Sequence, residues 1–145
     1  MDGGEKITRI TSRIAGLAVG ALFVYAGVMK ALDPAQFAGD IANYRILPWP
    51  AAATLALYLP WLEIFCGGAL IFRRLHPGAP LILIALCLVF LGALASAKIR
   101  GLDIACGCFG HTGSHHLLFS TMLDVAVLAT LVFVVATRGG GRHGQ

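Results

Sequence analysis

Pro80-Leu-Ile-Leu-Ile-Ala-Leu-Cys-Leu-Val-Phe-Leu-Gly-Ala-Leu-Ala-Ser-Ala97 is a run of 18 residues without one charged side chain. About 20 apolar residues, at 1.5 Å rise each, cross the roughly 30 Å hydrocarbon core of a bilayer, so this stretch reads as a membrane-spanning helix. It ends at Lys98 and Arg100, cations suited to the headgroup level. Outward from it, apolar runs of similar length recur at 14–32, 51–72 and 117–137.

Composition agrees with that reading. The 145 residues are 58% hydrophobic and 12% charged, with a mean hydropathy of +0.82, whereas soluble domains average about 45–50% apolar and 25% charged. The net charge of +4 comes with no basic stripe interleaved with aromatics, which argues against nucleic acid as a partner. Four cysteines, widely spaced, are too few for a small secreted disulfide framework. The expected fold is therefore all-α: an integral membrane four-helix bundle in the lipid bilayer. A short amphipathic surface helix would join spans 1 and 2, with a polar segment at 1–13 and a glycine-rich flexible tail at 138–145. The basic start followed by an uncharged run resembles a signal peptide, but no A-x-A cleavage site follows, so the run is expected to be retained as the first span.

Local signals place the pieces. Gly16-Leu-Ala-Val-Gly20 is a G-x-x-x-G step, and with Gly27 it gives the first helix a smooth face for close packing. Asp33-Pro34 stops that helix and can start another, with Asp33 as N-cap and Pro34 at the first helical position. Phe37, Ile41 and Tyr44 then recur at helical spacing opposite Gln36, Asp40 and Asn43, the pattern of a helix lying on a membrane surface. Pro48-Trp49-Pro50 breaks it, and the tryptophan suits the headgroups.

Lys6, Arg9, Arg13, Arg73, Arg74, Arg138 and Arg142 fall on one side of this topology, and Lys30, Arg45, Lys98 and Arg100 on the other. By the positive-inside rule both termini are expected in the cytoplasm. The loop after the uncharged span then faces the periplasmic or extracellular side of a bacterial inner membrane, where disulfides persist.

Three ionisable residues fall inside the spans. Asp124 lies about 10 Å and Glu63 about 18 Å below the outer ends of their spans, with Lys30 within a turn of its own. A charge at the bilayer centre costs on the order of 2.5–3.5 kcal/mol and normally has a partner. Lys30 or Arg100 pairing with Glu63 or Asp124 would offset that cost. Such a polar site is either glue between helices or a place to bind a quinone or relay protons. Cys66 and Cys87 fall at about the same depth, as small packing residues or as a second thiol pair.

The chemistry concentrates in Arg100-Gly-Leu-Asp-Ile-Ala-Cys106-Gly-Cys108-Phe-Gly110. Two cysteines flanking one glycine can close a small disulfide ring, because their Cα separation falls in the bridgeable range of about 4.4–6.8 Å. A ring so tight is strained, and strained disulfides are the labile ones. Lys98 and Arg100 can lower a thiol pKa there, with His111 as a proton carrier. The same loop also offers a metal set, Cys106 and Cys108 with His111 and His115 or His116, although C-x-C-x₂-H-x₃-H is not a standard zinc-finger spacing. A third reading is an inert disulfide that pins the loop.

With these residues in view, the chain resembles the MauE branch of the DoxX-like membrane proteins over about 13–137. The resemblance is carried by Ala26-Gly-Val-Met-Lys30, Asp33-Pro34 with Phe37, Tyr44 with Leu47-Pro48, Leu62-Glu63, and above all the 100–110 motif. It implies a four-helix membrane bundle with an accessory role in periplasmic thiol-disulfide exchange, working with a thioredoxin-like partner in the maturation of a disulfide-rich dehydrogenase subunit in methylamine utilisation. On that reading Cys106 and Cys108 are the reactive pair and Arg100 stabilises thiolate. Lys30, Glu63 and Asp124 form the buried polar site.

Overall fold

The computed structural model describes residues 2–73, 78–102 and 116–139. Every regular element among them is a helix: α1 (Asp2–Leu32), α2 (Pro34–Asn43), α3 (Trp49–Ile71), α4 (Gly78–Ile99) and α5 (His116–Gly139). Three of these, over Gly3–Leu32, Trp49–Ile71 and Gly78–Ile99, are long and apolar enough to cross a membrane. α5 carries a shorter apolar stretch, Thr121–Thr137. The chain is thus built as a multi-pass membrane protein.

α3 and α4 are apolar around their whole circumference, as expected of helices whose outer face meets lipid instead of water. Tyr58 and Phe65 on α3 and Val89 on α4 are 72%, 70% and 66% exposed. The inward stripe of α3 is Ala52, Ala56, Pro60, Glu63, Cys66, Gly67 and Leu70, spaced by three or four residues. One core cluster draws on all four long helices, including Phe23, Leu70, Leu83 and Leu131.

Lipid tails are as apolar as leucine, so helices in a membrane associate chiefly through close packing and polar contacts. The packing of α1 on α3 follows that logic. A Cβ on Gly20 would stand 2.8 Å from the Gly67 carbonyl oxygen, and one on Gly27 would stand 2.7 Å from that of Pro60. Gly20 and Gly27 of the expected smooth face therefore lie in the α1–α3 contact. Gly20 and Gly27 are seven apart, as are Pro60 and Gly67, so two contacts one heptad apart set an antiparallel register. At the opposite end of α1, the Thr137 hydroxyl donates to that of Ser12 at 3.1 Å, tying α5 to α1.

α2 starts as its sequence predicts. The Asp33 carboxylate accepts from the Gln36 backbone N–H at 2.9 Å, and Pro34 occupies the first turn. Phe37 and Ala38 are buried, packing with Ala56 of α3, so the apolar side of this helix faces the protein. Asp33→Ala removes one acceptor from the helix start and should cost about 1 kcal/mol. Faster amide exchange confined to 34–38, with α4 unchanged, is the expected readout.

Two boundaries differ from expectation. α1 begins at Asp2 and not near Ile14, because the polar segment has helix-compatible chemistry of its own: an Arg9–Glu5 ion pair at 2.8 Å one turn apart, and Thr8 donating to the Gly4 carbonyl. α2 ends at Asn43, before Pro48, where the chain turns through Arg45 at a φ of 51°. Pro48 then caps α3, with Pro50 in its first turn.

Candidate functional site

The end of α4 is closed by a glycine device legible in Arg100-Gly101-Leu102. Gly101 has a φ of 65°, its N–H meets the Lys98 carbonyl at 3.2 Å, and the Leu102 N–H meets that of Ala97 at 3.0 Å. This is a Schellman motif, which satisfies carbonyls left open at a helix end. It leaves Arg100 exposed, where its guanidinium donates to the Arg45 backbone carbonyl at 3.2 Å. The turn after α2 and the end of α4 therefore share one end of the molecule. Cys106 and Cys108, the two thiols of the sequence motif, lie outside the described residues, as do His111 and His115. Among the described residues no group of three or more His, Cys, Asp or Glu is arranged to hold a metal.

The second site is internal. Lys30 Nζ stands 2.7 Å from Glu63 Oε1 and 2.9 Å from Oε2, with side-chain exposures of 3% and 1%. Helical side chains lean toward the amino end of their helix. α1 and α3 are antiparallel, so Lys30 leans down toward Glu63 and Glu63 leans up toward Lys30. The glycine contacts set the register that makes those reaches meet. The ammonium also sits 5.2 Å from the Phe37 ring centroid and 4.8 Å from that of Phe90, so two aromatic faces supplement the carboxylate. Both Glu63 oxygens are engaged by one partner in a water-poor setting, an arrangement that holds helices in place.

Of the pairings the sequence allowed, the structure forms Lys30–Glu63 and directs Arg100 away to the exposed end. Asp124, on α5, has an interaction of its own, and it lies with Lys30 and Glu63 within electrostatic range of Cys87. Cys66 and Cys87 are buried free thiols in the same core cluster.

Phe37 and Phe90 also line a cleft. It has a volume of about 300 Å³ between α2, α3 and α4, and its other lining residues include Ile41, Leu59 and Val89. Sequence reasoning missed both the aromatic wall and the cleft. The available signal was that Phe90 is the one aromatic in the uncharged 80–97 run, at a depth where leucine would fill space as well.

Comparison with known proteins bears on the whole arrangement. The family model for "Methylamine utilisation protein MauE" matches residues 8–138. The chain is 35% identical over 117 residues to "Methylamine utilization protein MauE" of Paracoccus denitrificans, covering 80% of this chain and 63% of that one. It is 37% identical over 95 residues to the protein of that description from Methylophilus methylotrophus, covering 65% and 50%. A third, from Paracoccus versutus, is 31% identical over 127 residues, covering 83% and 68%. The chain thus spans between half and about two thirds of the length of these relatives. No solved structure matches. With a family match that runs from the first helix through the last and takes in the glycine register, the Lys30–Glu63 pair and the 100–110 motif, the chain belongs to the methylamine utilisation protein MauE family.

Proposed function

We propose that this chain is an accessory membrane protein of methylamine utilisation that carries out thiol-disulfide exchange through Cys106 and Cys108. The observation that carries the reading is the Cys106-Gly-Cys108 motif, which follows within a few residues of the Schellman-capped end of α4 and its exposed Arg100. The names of the relatives supply the methylamine context. In the proposed topology α5 is the fourth crossing, both termini are cytoplasmic, and the cysteine segment faces the periplasm across a bacterial inner membrane.

Written in the oxidising direction, a thiolate of a thioredoxin-like partner attacks one sulfur of the Cys106–Cys108 disulfide. A mixed disulfide forms and one thiolate of this chain leaves. The partner's second thiol then resolves the mixed bond, so two electrons and two protons pass to Cys106 and Cys108 while the partner becomes oxidised. Exchange of this kind depends on the leaving thiolate, which a nearby guanidinium such as that of Arg100 stabilises. The second reading is a metal-binding or scaffolding loop built from the same cysteines and histidines, without turnover.

Cys106→Ser and Cys108→Ser separate these. One of the two single variants should accumulate a reducible adduct with a thioredoxin-fold protein on non-reducing gels of acid-quenched cells, and the double variant should accumulate none. Absence of any adduct, together with stoichiometric metal in the purified protein, would sink the exchange reading.

A further inference from the structure

The cleft lined by Phe37 and Phe90 adjoins the ion pair and has a distinct lining of its own. On α4 its lining runs from Ala93 down to Leu86, about 10 Å along the helix. Its lining is aliphatic and aromatic along that length. Its polar side chains, Asp40 and Tyr44, sit on α2 and the turn after it, each with an interaction of its own within the chain. Ile46 and Leu47 complete the mouth, directly after the exposed Arg45 whose carbonyl holds the exposed Arg100. Trp49, 59% exposed, marks the same level as headgroup depth.

An apolar cleft with Arg45 in the chain between two of its lining residues, Tyr44 and Ile46, and with Arg100 bonded to the Arg45 carbonyl, is complementary to a molecule with an apolar chain and an anionic head. From this we infer that the cleft is a binding site for an anionic phospholipid, with one acyl chain laid between α2, α3 and α4 and the phosphate paired with Arg45 and Arg100. The volume of about 300 Å³ is at the lower end of small-molecule sites, enough for part of one chain. The bound chain would lie against Phe37 and Phe90, the two rings that also pack on the Lys30 ammonium. The thiol chemistry does not require this site, although the two share Arg100, the residue proposed to stabilise the leaving thiolate.

The test uses the full chain purified in mild detergent, delipidated, and offered equal amounts of phosphatidylglycerol and phosphatidylcholine with the same acyl chains, with bound lipid counted by native mass spectrometry. The unmodified chain should retain one phosphatidylglycerol. Arg45→Asn keeps a residue that tolerates positive φ and removes one charge, so the preference for the anionic lipid should fall about fivefold. Ala93→Phe, which fills the cleft, should abolish retention of both lipids while circular dichroism and the elution profile stay unchanged. Equal uptake of the two lipids by the unmodified chain would overturn the inference. So would full retention by folded Ala93→Phe, or one isoprenoid quinone per chain extracted in place of phospholipid. If Ala93→Phe does not fold, the Arg45→Asn selectivity decides.

Discussion

Glu63→Ala should destabilise the helix assembly by about 3–5 kcal/mol, whereas Lys30→Met combined with Glu63→Leu should cost little or nothing. The single substitution leaves the Lys30 ammonium at a position where only 4% of the residue is exposed, against the rings of Phe37 and Phe90. A charge so placed has lost the carboxylate that stood 2.7 Å away and is almost closed off from solvent. Removing both members at once withdraws the desolvation cost together with the attraction, and leaves apolar side chains of similar volume between α1 and α3. The difference between the sum of the two single effects and the double effect measures the coupling, which for residues in direct contact is expected at about 0.5–3 kcal/mol or above. Unfolding midpoints in mixed detergent micelles for Lys30→Met, Glu63→Ala, Glu63→Leu and the double variant would supply the numbers. If the double variant is as unstable as the two single effects added, the pair does not act as a unit. If it is stable but exchanges no disulfides, Lys30 and Glu63 serve chemistry as well as architecture.

That experiment touches the part of the molecule where reading the sequence was most and least informative. The uncharged 80–97 run became α4 with its end at Ile99, because eighteen apolar residues leave the backbone no other way to satisfy its polar groups in lipid. Asp33-Pro34 became a cap and a first turn because both residues act locally. Gly20 and Gly27 also took their expected place against a neighbour, since small residues on one stripe of a membrane helix have few uses besides close approach. What the pattern could not choose was the partner of Lys30, because Glu63 and Asp124 both lay at plausible depths. The choice follows from a register of α1 against α3, a property of two helices together. The early start of α1 was hidden for the opposite reason: hydropathy marks where lipid begins, and a helix held by Arg9–Glu5 and Thr8 continues past that point. The aromatic wall and the cleft depend on three helices and a turn meeting, which no single run encodes. The thiols, the most specific signal in the chain, fall outside the described residues, so their role rests on the motif and the family.

Two neighbouring glycines on α3 offer the sharpest test of the register. A Cβ at position 67 would stand 2.8 Å from the Gly20 carbonyl oxygen and 3.1 Å from the Phe23 Cβ, whereas one at position 68 would meet nothing within 4 Å. Backbone cannot rotate aside as the end of a side chain can, so Gly67→Ala must push α1 away from α3, at a cost typical of overpacking, about 1–3 kcal/mol. Gly68→Ala adds the same methyl to the same helix at an open position, and should be neutral or stabilising by up to about 1 kcal/mol through helix propensity. Gly27→Val should be worse than either, since its Cβ would meet the Pro60 carbonyl oxygen and Ile64 Cγ1 at 2.7 Å and Glu63 Cβ at 3.2 Å. Displacing α1 at that point also pulls Lys30, less than one turn further on, out of reach of Glu63. The loss in Gly27→Val should therefore shrink when Lys30→Met and Glu63→Leu are already present, because the pair it disrupts is no longer there to lose. Equal stability of Gly67→Ala and Gly68→Ala would mean that α1 and α3 do not meet in this register. The pairing of Lys30 with Glu63, which depends on it, would then need another explanation.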